Sequence, residues 1–334
     1  MNQKIDKTVL VTGGAGFIGS HLVEKLISVG LKVINVDCLT YAGNWEGIKH
    51  FESNPLYEFK NVNINNFDEL QGVFRFYQPN AVFHLAAESH VDNSITDPIN
   101  FIQTNIIGTY NVLQASQQHY SKMVNKNFKF IHVSTDEVYG SLGLSGKFSE
   151  ETAYDPRSPY SASKAASDHL VKAWWHTYNL PAIITNCSNN YGPNQNQEKL
   201  IPKIIYNAIN KRKIPVYGNG KNIRDWLNVS DHVEALLTVF RVGVPGETYN
   251  IGSNNEISNI DLIEKICGII DSKIQLKYKC FELVEYVTDR QGHDFRYAIN
   301  SQKIRNELGW QPNINFNKGL ENTINWYLDD FLGT

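Results

Sequence analysis

The stretch VTGGAGFIGSHL, residues 11–22, constrains this chain more than any other segment. It follows the apolar run TVLVTG (8–13) and opens a stretch of helical period. Gly14, Gly16 and Gly19 satisfy G-x-G-x-x-G, while Gly13, Gly16 and Gly19 satisfy G-x-x-G-x-x-G. A tight turn of this kind lets the backbone approach a pyrophosphate and aims the amides of a helix N-terminus at its charge. Glycine spacing alone would also fit a plain strand–helix turn, so the context decides. A second apolar run, KVINVD (32–37), closes on Asp37. A carboxylate there accepts hydrogen bonds from the adenosine ribose and repels a 2′-phosphate, which favours NAD over NADP.

Short apolar runs continue to alternate with amphipathic segments: YEFKNV (57–62), AVFHLAA (81–87), FKFIHVS (128–134) and AIITNCS (182–188), with helical periods near 17–30, 66–77, 98–120 and 160–179. Such alternation predicts an α/β fold, a doubly wound parallel sheet with helices on both faces and ligands beyond the carboxyl ends of the strands. After about residue 190 the pattern loosens, and SNIDLIEKICGII (258–270) is its clearest helix. This points to a smaller mixed α/β region: 1–190 for the dinucleotide and 191–334 for the substrate, with elements near 225–250 returning to the first sheet.

A formal net charge of −3 without a basic block argues against nucleic acid or an anionic membrane as the main partner. No apolar run reaches the ~18 residues of a membrane span and the N-terminus has no signal-like core, so the expectation is a cytoplasmic protein. Cys38, Cys187, Cys267 and Cys280 form no CxxC pair, and the ten histidines are scattered, so no metal site is expected.

Two further segments carry chemistry. FIHVSTDEVYG (130–140) places Asp136 and Glu137 side by side where a buried strand should end. Within a strand, neighbours point to opposite faces, so the pair can serve one site only if the chain leaves the sheet there. SPYSASKAASDHL then sets Tyr160 and Lys164 four apart on one helix face. An ammonium neighbour and the nicotinamide charge would lower the tyrosine from its usual value near 10 and make it a base for an alcohol.

With GxxGxxG, Thr135 at a strand end and Tyr160-x-x-x-Lys164, the chain resembles the extended short-chain dehydrogenase/reductases. The resemblance implies a Rossmann-like domain, NAD, a sugar-nucleotide substrate and a homodimer through helices near 98–120 and 160–179. TDEVYG looks like the motif of the dTDP-glucose 4,6-dehydratases. By that resemblance Asp136 protonates the departing C6 hydroxyl, Glu137 takes the C5 proton and Thr135 holds the C4 oxygen. Two close carboxyls in a low-dielectric site should separate in pKa, leaving one acid and one base.

The resemblance spans nearly the whole chain. It implies cofactor contacts from Phe17, Ile18, Leu39 and Thr40, from Asn63 and Ile64, and from Leu85, Ala86, Ala87 and Thr104, with Asn190 by the nicotinamide. It assigns Ser89 and Asn189 to the sugar nucleotide, Tyr217 to the base, and Arg224 and Arg290 to the diphosphate, which a planar guanidinium engages through two oxygens. Lys199, Leu200, Pro215, Asn259 and His293 complete the expected nucleotide shell. Asn63 stands where the family usually has an acid, and Gln291 and Phe295 where Pro and Arg are usual. These departures touch the nucleotide pocket, so UDP-glucose or CDP-glucose stay open as substrates. A 4-epimerase or a decarboxylase would leave the carboxylate pair without a task, and a silent NAD-binding scaffold would leave all five reactive residues without one.

Overall fold

A computed structural model describes residues 7–333. Its strands are β1 (Thr8–Thr12), β2 (Lys32–Asp37), β3 (Tyr57–Asn61), β4 (Ala81–His84), β5 (Lys129–Thr135), β6 (Ala182–Cys187), β7 (Asn189–Tyr191), β8 (Ile214–Tyr217), β9 (Ile223–Asn228), β10 (Thr248–Ile251), β11 (Glu256–Ser258) and β12 (Val284–Val287). Seven form one sheet in the order β3-β2-β1-β4-β5-β6-β10, every pair parallel. The fold is thus the doubly wound α/β type.

Each strand of a covered parallel sheet is buried on both faces, which explains why β4 and β6 read as continuous apolar runs rather than alternating ones. Successive side chains still feed different cores. Val9, Val11, Ile131 and Val133 pack on one face, while Leu10, Val82, Phe130 and Ile184 pack on the other. The strand order reverses between β1 and β4, so the loops after those two strands splay apart and open a crevice above them.

The later part of the chain builds a separate apolar cluster from the helices Leu200–Ile209, Asn259–Lys273 and Phe316–Leu332 with Ile214 and Val216 of β8. Small sheets β11-β9-β7 and β12-β8 flank it. Among the described residues no helix is long and apolar enough to cross a membrane.

The helix predicted over 98–120 forms, with a distortion inside it that its period does not show. A helix at Val91–Thr96 precedes it, and after Pro98 the chain passes through Ile99–Phe101, a π-helical stretch Ile102–Gly108 and an α-helix Thr109–Lys122. Within the π-helical stretch, buried Asn105 accepts from the Glu88 amide at 2.8 Å and donates to the Glu88 carbonyl at 3.0 Å and to Ser163 Oγ at 2.8 Å. Periodicity could not show this distortion, because it coincides with side-chain bonds to a distant loop.

Candidate active site

The turn after β1 packs so closely on itself and on the loop after β4 that a Cβ has no room at Gly13 or Gly19. Gly13 has φ 75°, and a Cβ there would lie 2.6 Å from the Ala86 amide nitrogen. A Cβ on Gly19 would lie 2.0 Å from the Gly13 carbonyl oxygen. Gly16 caps the helix Phe17–Ser28, whose first amides have no intrahelical acceptors. The Asp37 carboxylate accepts from the Ala15 amide and from the Leu39 amide, both at 2.9 Å. Burial pushes its carboxyl up, and the amides of Leu39, Ala15 and Cys38 oppose this. A carboxylate has about four lone-pair sites, so Asp37 keeps capacity for hydroxyl donors.

These groups line one cavity of about 330 Å³. Gly13, Gly16, Phe17, Ile18, Gly19 and Asp37 form one end, with Thr40, Asn63 and Ile64 beside them and Leu85, Ala86, Ala87 and Thr104 across from them. Leu39 is not part of the lining; it is half-buried against the core below. A cradle without Cβ atoms, a helix N-terminus and an acceptor at the end of β2 together fit a dinucleotide. A Gly19→Ala variant must push the Gly13–Gly14 backbone aside, so it should melt at a lower temperature and bind NAD at least about tenfold more weakly, ~1.4 kcal/mol, in a calorimetric titration.

The other end of the cavity answers the question raised by the adjacent acids. Thr135 is the last residue of β5, and the chain then turns into a short 3-10 helix, Asp136–Tyr139. Thr135 Oγ1 accepts from the Glu137 amide at 3.3 Å and thereby caps that turn. Because the chain has left the sheet, both carboxyls line the same cavity.

Their surroundings differ. Asp136 is 1% exposed, and its Oδ2 has no hydrogen-bond partner among the described residues. Burial, then the charges of Glu137 and Asp225, hold its carboxyl well above the usual range, against Arg224 alone among nearby cations. Burial also raises Glu137, but Arg224, Lys199 and Arg290 all oppose it. Asp136 therefore carries a proton in preference to Glu137.

A carboxyl whose folded pKa is raised binds a proton that the unfolded chain has already lost, so its contribution to stability falls as pH rises from the ordinary Asp range through the folded pKa. Asp136→Asn removes that loss. The variant should gain thermal stability relative to the parent as pH is raised from 4 to 8, about 1 kcal/mol or more at the upper end, in paired melts.

The helix Pro159–Tyr178 begins with proline at its first position and a reciprocal capping box between Ser158 and Ser161. That start directs Tyr160 and Lys164 into the cavity, where Lys164 Nζ donates to the Val133 carbonyl at 2.8 Å. The protein alone does not lower the tyrosine as its spacing from Lys164 predicts. Burial, then the Glu137 charge, push its phenol well above the usual range, and only a hydrogen bond with Thr135 stands out against them. Ser89, Asn189, Asn190 and Lys199 also line the cavity. Lys199 Nζ donates to the Ser89 carbonyl at 2.9 Å, and Asn190 Oδ1 faces His232 Nδ1 at 2.9 Å.

The remaining residues expected around the nucleotide lie outside this lining. Leu200 opens the helix Leu200–Ile209, Pro215 and Tyr217 lie on β8, and Asn259 opens the helix Asn259–Lys273. Arg224 stacks over Tyr297 at 4.2 Å and donates to the carbonyls of Ile223 (2.8 Å) and Asp294 (3.0 Å), so its fork is held by backbone. Arg290 Nε lies 2.6 Å from Asp92 Oδ1, the Tyr217 hydroxyl donates to Asp92 Oδ2 at 3.3 Å, and His293 Nδ1 meets Asp289 at 2.6 Å. Sequence reasoning did not single out Asp92, nor Glu88, Ser188 and Glu198, which line the cavity. Cys38 is half-buried and also lines it.

Fold, glycine cradle and the Tyr160–Lys164 helix define a short-chain dehydrogenase/reductase of the extended kind. A family model described as GDP-mannose 4,6 dehydratase matches residues 10–323. A dTDP-glucose 4,6-dehydratase of Escherichia coli is 52% identical, over 96% of this chain and 94% of its own. Two solved structures are similar throughout. One is the dTDP-glucose 4,6-dehydratase of Bacillus anthracis in complex with NAD, with TM-score 0.87, 43% identity and 97% of each chain covered. The other is that of Streptomyces venezuelae with NAD and TYD bound, with TM-score 0.89, 39% identity and 97% of each chain covered. The chain belongs to the nucleotide-sugar 4,6-dehydratase family, among its dTDP-glucose 4,6-dehydratases.

Proposed function

We propose that the protein dehydrates dTDP-glucose to dTDP-4-keto-6-deoxyglucose and water, using NAD that it regenerates in each cycle. One observation carries this reading: the adjacent carboxyls of Asp136, which burial raises well above its usual range, and Glu137, which Arg224, Lys199 and Arg290 oppose being raised, share a cavity with Tyr160 and Lys164. When bound, NAD supplies an acceptor for the C4 hydride and returns that hydride to C6.

The residues of the chain handle the protons. Tyr160 takes the proton of the C4 hydroxyl, with Thr135 hydrogen-bonded to the same oxygen. The C4 ketone acidifies the C5 hydrogen, Glu137 removes it as a proton, and Asp136 protonates the C6 hydroxyl so that it leaves as water. Glu137 then returns its proton to C5 as C6 is reduced. Gly13, Gly16, Gly19 and Asp37 would hold the dinucleotide, and Ser89, Asn189 and Lys199 the sugar end. Arg224, Arg290, Tyr217 and His293 would hold diphosphate and base after Arg290 exchanges Asp92 for phosphate oxygens.

We further read residues 1–190 as the cofactor unit and 191–334 as the sugar-nucleotide unit, with β10 returning to the first. Exposed Ile99, Ile102, Ile107 and Tyr110 supply an apolar face for a homodimer, to be read from the mass in solution. A cytoplasmic location suits the free cysteines.

The direct test incubates the purified protein with dTDP-glucose and, separately, UDP-glucose without added reductant. Loss of one water from dTDP-glucose alone is the expected result. An unchanged mass with epimerised sugar would overturn the dehydratase reading, and equal turnover of both would overturn the base preference.

A further inference from the structure

Asp168 lies one turn beyond Lys164 on the helix Pro159–Tyr178, is fully buried, and has no part in the chemistry above. Buried charges are rare unless compensated. Its Oδ2 accepts from Ser134 Oγ and from the Tyr154 hydroxyl, both at 2.9 Å, and its Oδ1 lies 3.1 Å from His132 Nε2.

The histidines are not its cation. Burial brings the His132 imidazole down to about 4, and His84, whose ring lies 5.3 Å from that of His132, falls well below the usual range. Near pH 7 burial favours the uncharged ring in both, for His132 against the nearby Asp168. Tyr139, Tyr154 and Asn186 are uncharged there too, and His169 and Lys172 pack on the Tyr154 ring.

Lys164 has the complementary difficulty. It is 5% exposed, burial lowers its ammonium, and Nζ has the Val133 carbonyl as an acceptor while an ammonium has three donors. The charge that most strongly favours its protonated form is Asp168; Cys187, the next, is a thiol raised to about 12 and so neutral. Asp136, Glu137 and Tyr160 share the cavity, but none of them ranks among the charges acting on the Lys164 ammonium. Lys164 and Asp168 also grip consecutive residues of β5, Val133 and Ser134, immediately before Thr135.

We propose that Asp168 is a positioning residue of the active site: its carboxylate is the buried counter-ion that keeps Lys164 charged and clamps the Tyr160–Lys164 helix to β5. This rests on the dehydratase reading only for the task given to Lys164.

The test follows the NMR signal of isotope-labelled lysine Cε, with Lys164 assigned by its loss in Lys164→Met, in the NAD-loaded protein. In the parent, Lys164 should stay charged through neutral pH. In Asp168→Asn its midpoint should fall by about one pH unit or more, and Asp168→Glu should restore most of that. A neutral Lys164 in the parent at pH 7, or equal midpoints in parent and Asp168→Asn, would overturn the proposal, since a merely structural Asp168 would leave the titration unmoved. Should Asp168→Asn not fold, Asp168→Glu decides: a midpoint near the parent's supports the counter-ion, and one lowered by a unit despite the retained charge overturns it. No turnover enters this readout, so its failure is distinct from failure with dTDP-glucose.

Discussion

Glu137→Gln is expected to lower turnover of dTDP-glucose by about 10²–10⁴-fold, the usual weight of one general base. Reduced nicotinamide should build up while it does so. The amide is close in shape to the carboxylate and keeps the cavity filled, so the C4 proton and hydride can still leave. Removal of the C5 proton has then lost its acceptor. Asp136 is a poor substitute, because burial, the largest cause, and the Asp225 charge still hold its carboxyl up once the Glu137 charge is gone. Stopped-flow absorbance of the reduced cofactor, beside mass analysis of the product, separates the two halves of the reaction. Normal turnover in this variant would remove Glu137 from the mechanism.

Tyr160→Phe should act earlier and produce the opposite signature. Loss of the phenol removes the proton acceptor for the C4 hydroxyl, so turnover falls by about 10²–10⁴-fold and no reduced nicotinamide appears. The fold should survive, because Ser158, Pro159 and Ser161 still start the helix and the ring still packs beside Phe101, 6.3 Å between centroids. The Tyr160 phenol is held well above its usual range by burial and by Glu137. Its ionisation must therefore depend on positive charge brought close by Lys164 and the bound cofactor. Reduced cofactor forming at the parent rate would show that another group takes the first proton.

Much of the fold was legible because it is local. The runs at 8–13, 32–37 and 182–188 lie within a residue of β1, β2 and β6, since unbroken apolar sequence flanked by helical periods has few uses other than a covered parallel strand. The helix predicted over 160–179 forms at Pro159–Tyr178 because its cap is written in its own residues. The helix over 98–120 forms as well, but its π-helical part is not legible, because it coincides with Asn105 binding a loop 17 residues away. For Arg224, local sequence does not show that its guanidinium rests on backbone carbonyls, one of them that of Asp294, 70 residues on.

The chain's local order thus contained the sheet, the glycine turn, the acid at the end of β2 and the placing of Thr135, Asp136 and Glu137 at a strand end. Backbone sterics and side-chain period act over a few residues and can be read there. Proton affinities could not be read that way. They depend on how deeply a group is buried and on which charges converge on it, and Glu137 answers to Lys199, Arg224 and Arg290 while Lys164 answers to Asp168. Desolvation and Coulomb interaction sum over everything packed nearby, so the division of two adjacent carboxyls into acid and base exists only once distant segments have come together.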